Sequence, residues 1–508
     1  MLAYDEIIKA SARSYSDRIA FHDGITSYTY AEVDRLSASL ATGFLARGLR
    51  PGDTVSWVSS NRAEYFLAYL AAGRAGLILS PINYWLREQE IESIVELTSP
   101  ACMIVEEGYR DKVEPIAERT AVQARFVIGN SGPVPGWSDW DDLFVDAEEG
   151  RGFPGNESSA HELIFTSGTT GQVKGAVRTQ QGRMLESISW LIEMPLGPSA
   201  WVVDGGPQFH VGVQTLIMQV VMSGGRMSTF RFKAQTMADL IRQGATYVTG
   251  VPAHFALLLE SGHLDDVDCT NVRTCLLGGN ATSPALLDNI CKAFPSAEIA
   301  QIYGATESGL VSAIRGHEYL ERPESVGRFS VGVLGKIVDI DNNEVPVGDI
   351  GEICVKSRST VAGYYRRDDL TKAVFDDDGY YRMGDLGRLD AEGFLYIVGR
   401  KKDMIISGGE NIYPQEVEDV VAWVEGVAEV AIVARPDPVF EERVVAVIRL
   451  SDPELDGDVV AERARVEVRS KLAGFKVPKD FEFVDEFPRN AIGKIDKVAL
   501  RAQIVGDQ

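Results

Sequence analysis

Apolar positions along the chain follow two alternating periods, and the alternation predicts strands interleaved with helices. In "TSYTYAEV" (26–33) β-favouring residues alternate; Leu36, Leu40 and Phe44 then recur at helical spacing, and "GLRPGD" (48–53) stops the run. "TVSWVS" (54–59) predicts a short strand and "AEYFLAYLAAGRAG" (63–76) an apolar helix. Short apolar strands recur at "ELIFT" (162–166), "YVTGV" (247–251), "TCLLGG" (274–279) and "AEIAQIYG" (297–304), each followed by turn residues. Such alternation predicts an α/β fold with mostly parallel sheets covered by helices. Ligands of sheets like these bind beyond the carboxyl ends of the strands.

The pattern changes near Gly399. "GRKKDMIISGGENIYPQEVEDVV" (399–421) reads as a basic turn, a short strand, a glycine turn and a Pro-initiated helix. Strands at "VAEVAIVA" (427–434), "RVVAVIRL" (443–450) and "FEFVDEF" (481–487) follow, with a charged helix among them. That is enough for a small α+β domain with its own core. A chain of 508 residues exceeds what one core organises, so two domains are expected: a large N-terminal domain over 1–399 and a small C-terminal domain over 400–508.

Composition narrows the setting. Hydrophobic residues make up 45% and charged residues 24%, as in ordinary soluble globular chains. A formal net charge of −24 repels nucleic acid and anionic membrane surfaces, so neither is expected as a partner. Residues 66–82 are the most apolar long stretch, but Arg74 interrupts them, which predicts a buried helix and strand rather than a membrane span. The N-terminus is acidic where a signal peptide needs a basic start. Five cysteines without a CxxC pair fit reduced thiols, and a cytoplasmic protein is expected. The six histidines lack metal-ligand spacing, which argues against zinc.

Candidate chemistry begins at "TSGTTGQVKG" (166–175), with four hydroxyl residues, three glycines and a lysine. Glycines let backbone N–H groups converge on an anion, and a lysine adds a point charge, so the stretch reads as a phosphate cradle. A flexible polar turn is the other reading of the same residues. The common nucleotide loop is excluded: its Lys directly follows the last glycine, whereas Gln172 and Val173 separate Gly171 from Lys174. Four further segments lie downstream: "QIYGATESG" (301–309), "YRMGDLG" (381–387), "GRKKD" (399–403) and "PRNAIGKIDK" (488–497).

In order and combination these segments resemble the superfamily of AMP-forming acid ligases, which includes acyl-CoA synthetases, peptide-synthetase adenylation domains and luciferases. The resemblance runs from "YTYAEV" to "GKIDK", and "LAGFKVPK" (472–479), with Lys476, is similar to the stand-alone acid–CoA ligase branch. It implies an enzyme that joins a carboxylate to the α-phosphate of ATP, releases pyrophosphate, and passes the acyl group to the thiol of coenzyme A. A transition state that concentrates negative charge calls for positioned cations and N–H donors.

The resemblance also implies roles. Thr166, Ser167, Gly168, Thr169, Thr170, Gly171 and Lys174 would hold the β- and γ-phosphates, and Glu307 with Thr166 would hold Mg²⁺. Tyr303, within the Tyr303–Gly304–Ala305–Thr306 run, would stack on adenine, with Gly279, Asn280 and Ala281 along the base edge. Asp385 would accept from the ribose hydroxyls, with Arg400 near ribose and phosphate. The catalytic set would be Lys494, Glu307, Thr306 and His210, with Lys494 bridging carboxylate and α-phosphate and His210 at the gate to a thiol tunnel. The small domain would be mobile about Lys402, presenting Lys494 in one orientation and the Gly408–Gly409 loop in the other.

Several residues depart from the pattern. Gln172-Val173 replaces a frequent apolar-Pro pair, Met383 stands where Thr is common, and Gln180 begins "QQG" where relatives carry His and Asn. Asn280 replaces a frequent Ala, and Glu441 replaces a usual glycine near the expected path of coenzyme A. A carboxylate there would repel phosphates, which keeps a carrier-protein thiol or an amine open as the acceptor. A non-catalytic binder on the same fold is the third reading, and intact Lys494, Glu307 and Asp385 argue against it. The acid is expected to be small: aryl, arylacrylic or fatty.

Overall fold

The structure is a computed structural model that describes residues 3–120, 122–130, 132–146, 152–167, 173–489 and 495–506. They divide into two compact units: residues 1–335 with 355–381, and residues 336–354 with 382–508. The expected class is the one observed, α/β with mostly parallel sheets in the large unit and α+β at the C-terminal end.

The first unit contains two large sheets. One runs, in spatial order, Arg328–Phe329, Gly309–Arg315, Glu298–Ala305, Thr274–Leu277, Tyr247–Gly250, Trp201–Asp204, Arg226–Thr229, Ile19–His22 and Ser27–Thr29. Its interior pairs are parallel, and antiparallel strands close both edges. The other runs Gly363–Tyr364, Val173–Thr179, Ala160–Ser167, Ile78–Pro81, Thr54–Val58, Cys102–Glu106, Ala124–Ile128 and Ser138–Asp139. It is parallel from Ala160–Ser167 onward; the two strands before it form antiparallel pairs.

Local sequence explains these elements. Every residue of Thr54–Val58 is buried, hydroxyls included, and Thr54 Oγ1 donates to the Thr98 carbonyl at 3.0 Å. The helix Tyr30–Ala46 starts on a reciprocal cap: the Glu32 N–H donates to Thr29 Oγ1 at 3.2 Å, and the Thr29 N–H donates to the Glu32 carboxylate at 2.8 Å. The helix Glu64–Ala75 is buried along its whole length, so the apolar stretch 66–82 is a core helix followed by the strand Ile78–Pro81. Arg74 is tolerated there because its guanidinium donates to the Asp34 carbonyl at 2.7 Å and pairs with the Asp34 and Asp5 carboxylates. One apolar cluster joins residues of both sheets, among them Phe21, Trp57, Leu79, Met227 and Leu276.

In the second unit, the C-terminal part has a sheet ordered Glu410–Ile412, Ile405–Ser407, Glu441–Leu450 and Val427–Asp437, with Asp480–Phe483 pairing Glu441–Leu450 in parallel. Helices Pro414–Val421 and Gly457–Lys471 contribute Val417, Val421, Ala464 and Val468 to its core beside Ile432 and Ala446. Among the described residues no helix is long and apolar enough to cross a membrane.

Candidate active site

The glycine-rich stretch begins and ends on paired strands. Strands Ala160–Ser167 and Val173–Thr179 pair antiparallel, with Thr166 directly opposite Lys174 and Ser167 opposite Val173. Lys174 therefore stands on a strand rather than in the loop itself. Gly168, Thr169, Thr170 and Gly171 lie outside the described residues, as does Lys494.

A second hairpin brings the acidic residue. Strands Glu298–Ala305 and Gly309–Arg315 cross so closely that a Cβ on Gly304 would lie 2.1 Å from the Gly309 carbonyl oxygen, so only glycine fits. Gly309 has φ +72°, the left-handed turn that returns the chain. Inside the turn the Ala305 N–H donates to Ser308 Oγ at 2.9 Å, and Thr306 and Glu307 fill the apex. Glu307 is buried, 9% exposed, so its carboxylate needs partners. Among the described residues, the Thr166 hydroxyl donates to its Oε1 at 3.2 Å and the Tyr364 hydroxyl to the same oxygen at 2.9 Å.

Tyr364 comes from the edge strand Gly363–Tyr364 and was not expected from the sequence, where "AGYY" carries no signal. Burial first, then the Glu307 carboxylate, pushes its phenol far up, so it stays a hydrogen-bond donor. Lys174 Nζ lies 5.4 Å from the centre of the same ring. Thr166, Lys174 and Glu307 are thus gathered around one tyrosine. Carboxylate and hydroxyl oxygens are the hard donors that Mg²⁺ takes, and the pair fits such an ion.

The residues that the resemblance assigns to adenine sit on or beside neighbouring strands. The turn Gly279–Asn280–Ala281 leaves Thr274–Leu277 through Gly279 at φ +80°. Gln301, on the adjacent strand and two residues before Tyr303, ties it down: its amide donates to the Asn280 carbonyl at 2.9 Å, and its oxygen accepts from Thr282 at 2.8 Å. Sequence reasoning missed Gln301, which looks like any polar residue in a strand. His210 caps the helix Val211–Ser223, the Gly212 N–H donating to Nδ1 at 3.4 Å.

The second unit holds its own candidates. Asp385 and Arg400 are cross-strand partners, and Arg400 Nε donates to Asp385 Oδ1 at 2.6 Å. Asp385 is buried, at 4% exposure, while Arg400 is exposed. Lys402 lies in the exposed turn Lys401–Asp403. Gly408 and Gly409, at φ +61° and +82°, form the tight turn between Ile405–Ser407 and Glu410–Ile412. Lys476 pairs with Glu416.

A profile of the AMP-binding enzymes matches residues 8–365, and a profile of the AMP-binding enzyme C-terminal domain matches residues 416–494. The chain belongs to the AMP-binding enzyme family. This AMP-binding enzyme is 31% identical over 499 residues to a feruloyl-CoA synthase of an Amycolatopsis species, with 96% of each chain covered. It is 30% identical over 497 residues to a fatty acid–[acyl-carrier-protein] ligase of Streptomyces coeruleorubidus, covering 94% of this chain and 92% of the relative. Among solved structures, ATP-bound MatB from Rhodopseudomonas palustris superposes with a TM-score of 0.88 at 27% identity, over 99% of each chain.

Proposed function

We propose that this AMP-binding enzyme activates a small carboxylic acid in two steps and delivers it to coenzyme A. A carboxylate oxygen attacks the α-phosphorus of ATP, the bond to the bridging oxygen breaks, and pyrophosphate leaves. The thiolate of coenzyme A then attacks the acyl carbon, and AMP leaves. The observation that carries this reading is the convergence of Thr166 and Tyr364 on Glu307, with Lys174 over the Tyr364 ring and in register with Thr166 on the strands that flank the glycine-rich stretch. A feruloyl-CoA synthase at 31% identity supports the acyl-CoA product and an aryl or arylacrylic acid.

In this reading the hairpin receives the β- and γ-phosphates, with Thr166, Ser167, Gly168, Thr169, Thr170 and Gly171 supplying donors and Lys174 a cation. Glu307 and Thr166 would hold Mg²⁺, which neutralises charge on the phosphate oxygens. Tyr303 and the Gly279–Asn280–Ala281 turn take the adenine, and Asp385, oriented by Arg400, takes the ribose. Residues 400–508 form the lid, with Lys494 serving the first half-reaction and Gly408, Gly409 and Lys476 the second. The C-terminal-domain match over 416–494 supports that division of labour.

A second reading has two observations in its favour: Glu441 puts a carboxylate opposite Ser407, at the glycine turn proposed for the thiol, and a fatty acid–[acyl-carrier-protein] ligase is 30% identical. A carrier-protein thiol or an amine would then be the acceptor. A panel of aryl, arylacrylic and fatty acids with ATP, scored for AMP release with and without coenzyme A, separates the two. Release that coenzyme A fails to stimulate with every active acid would sink the coenzyme A reading.

A further inference from the structure

Four charged side chains form a buried relay in the first unit, and none has a role in the reading above. Glu162, Arg183, Glu186 and Arg178 are each at most 2% exposed. Arg183 Nε donates to Glu162 Oε1 at 2.7 Å, and its Nη1 donates to Glu186 Oε2 at 2.6 Å. Arg178 Nη1 donates to that same Glu186 oxygen at 3.1 Å. Buried ion pairs of this kind are poor evidence for stability alone, because desolvation offsets much of the attraction. What the end of the relay touches is more informative.

Arg178 lies on the strand Val173–Thr179, four residues beyond Lys174, and its guanidinium reaches two main-chain carbonyls. Nη2 donates to the Thr306 oxygen at 2.8 Å, and Nη1 to the Ser359 oxygen at 2.6 Å. Thr306 directly precedes Glu307. Ser359 lies just before Val361, whose N–H donates to the Glu307 carbonyl at 2.8 Å, and before Tyr364, whose hydroxyl holds the Glu307 carboxylate. One side chain therefore clamps both segments that hold this acid. The turn is pressed onto the clamp: a Cβ on Gly309 would meet Glu186 Oε1 at 2.9 Å and Arg178 Nη1 at 3.2 Å.

We propose that Arg178 is a positioning residue for adenylate formation, fixing the Thr306–Glu307 turn against the 359–364 segment so that the Glu307 carboxylate is oriented before the nucleotide arrives. The planar fork is what the site uses, since a lysine ammonium in the same place cannot span both carbonyls in a fixed geometry. The inference rests on the reading of Glu307 as the carboxylate that serves the phosphates.

Arg178→Lys tests it, because the charge beside Glu186 is kept. With the acid panel's best substrate, kcat for ATP–pyrophosphate exchange should fall roughly tenfold or more while the KM for the acid stays near wild type. Thioester formation from supplied acyl-adenylate should be unchanged. In the substrate-free protein, hydrogen exchange should quicken at amides 305–309 and 360–364 and stay unchanged at 54–58. Calorimetry should show a weaker gain in ATP affinity on adding Mg²⁺. Glu186→Gln, which leaves the guanidinium but loosens its anchor, should show the same exchange pattern at smaller size. In a Glu307→Gln background the Arg178→Lys loss should shrink to within about twofold, since the group it positions is gone.

An Arg178→Lys enzyme with wild-type kcat and unchanged exchange at 305–309 would overturn the inference, as would an equal loss in both backgrounds. If Glu307→Gln alone retains the wild-type rate, the reading of Glu307 falls. If Glu307→Gln loses activity and Arg178→Lys does not, only the role of Arg178 falls.

Discussion

The hydroxyl of Tyr364 and the carboxylate of Glu307 meet at 2.9 Å, on the same oxygen that accepts from Thr166, while the ring face of Tyr364 looks toward the Lys174 ammonium. One residue thus orients an anion through its edge and a cation through its face. Tyr364→Phe keeps the face and loses the donor. A hydrogen bond to a charged group is worth about 1.5–3 kcal/mol, so adenylation measured by pyrophosphate exchange should fall roughly tenfold or more. Tyr364→Ala, which also frees Lys174, should lose more. Equal rates for Tyr364→Phe and wild type would remove Tyr364 from the site.

Which parts of this site were legible depended on how many residues each function needs close together. The glycine-rich stretch, "YGATE" and "MGDLG" announce themselves because the proposed cradle, the tight hairpin and the proposed ribose acceptor demand particular residue types within a few positions. Gly304 is an example: the 2.1 Å approach of the Gly309 carbonyl admits no side chain. The supports were not legible. Tyr364, Arg178 and Gln301 each act through a few hydrogen bonds, and those of Tyr364 to Glu307 and of Arg178 to the Thr306 and Ser359 carbonyls reach residues far away in sequence. Nothing in "AGYY", "GAVRT" or "IAQIY" distinguishes them from ordinary sheet residues. Likewise the strand–helix alternation predicted the parallel sheets, but periodicity alone could not show that Lys174 stands in register with Thr166.

Lys494 carries the sharpest kinetic expectation. A cation supplied only in the first transition state should cost several kcal/mol when removed, roughly a hundredfold or more in rate. Lys494→Ala should therefore abolish adenylate formation and spare thiol transfer from supplied acyl-adenylate. Adenylate formed at near wild-type rate would show that the lysine has been misassigned.

Acid stability gives an independent check on the core. His161 is fully buried between the rings of Tyr4 and Tyr69, and burial, with Arg183 second, pushes its imidazole down to about 3 from an ordinary 6.5. The unfolded chain binds a proton below pH 6.5 that the folded protein refuses until about pH 3. Stability is then complete above pH 6.5 and drains away as the pH falls through that window, by about 2 kcal/mol between pH 6.5 and 5 at about 1.4 kcal/mol per unit. His161→Phe should flatten this part of the urea-unfolding profile against pH. An identical slope in the two proteins would mean that His161 takes up its proton in the folded state.

Glu441 joins backbone strain to acceptor choice in one residue. Its φ is +66°, and the Glu442 N–H donates back to the Phe440 carbonyl at 2.8 Å, closing a three-residue turn about it. For a residue with a side chain this conformation costs about 1–2 kcal/mol, whereas glycine adopts it freely but loses about 0.5–1 kcal/mol of extra chain entropy on folding. Glu441→Gly should therefore be as stable as wild type or up to about 1 kcal/mol more so, and Glu441→Ala should gain nothing. Both variants remove the carboxylate. If it lies on the path of coenzyme A, both should lower the KM for coenzyme A at low salt, the difference from wild type shrinking as salt screens it, with pyrophosphate release unchanged. The pair of substitutions separates the two effects: a Gly variant that melts below the Ala variant would refute the strain, and an unchanged KM in both would place the carboxylate away from the thiol's approach. If coenzyme A proves to be no substrate even for Glu441→Gly, the carboxylate is not what excludes it. An acceptor without nucleotide phosphates, a carrier-protein thiol or an amine, then becomes the one to assay.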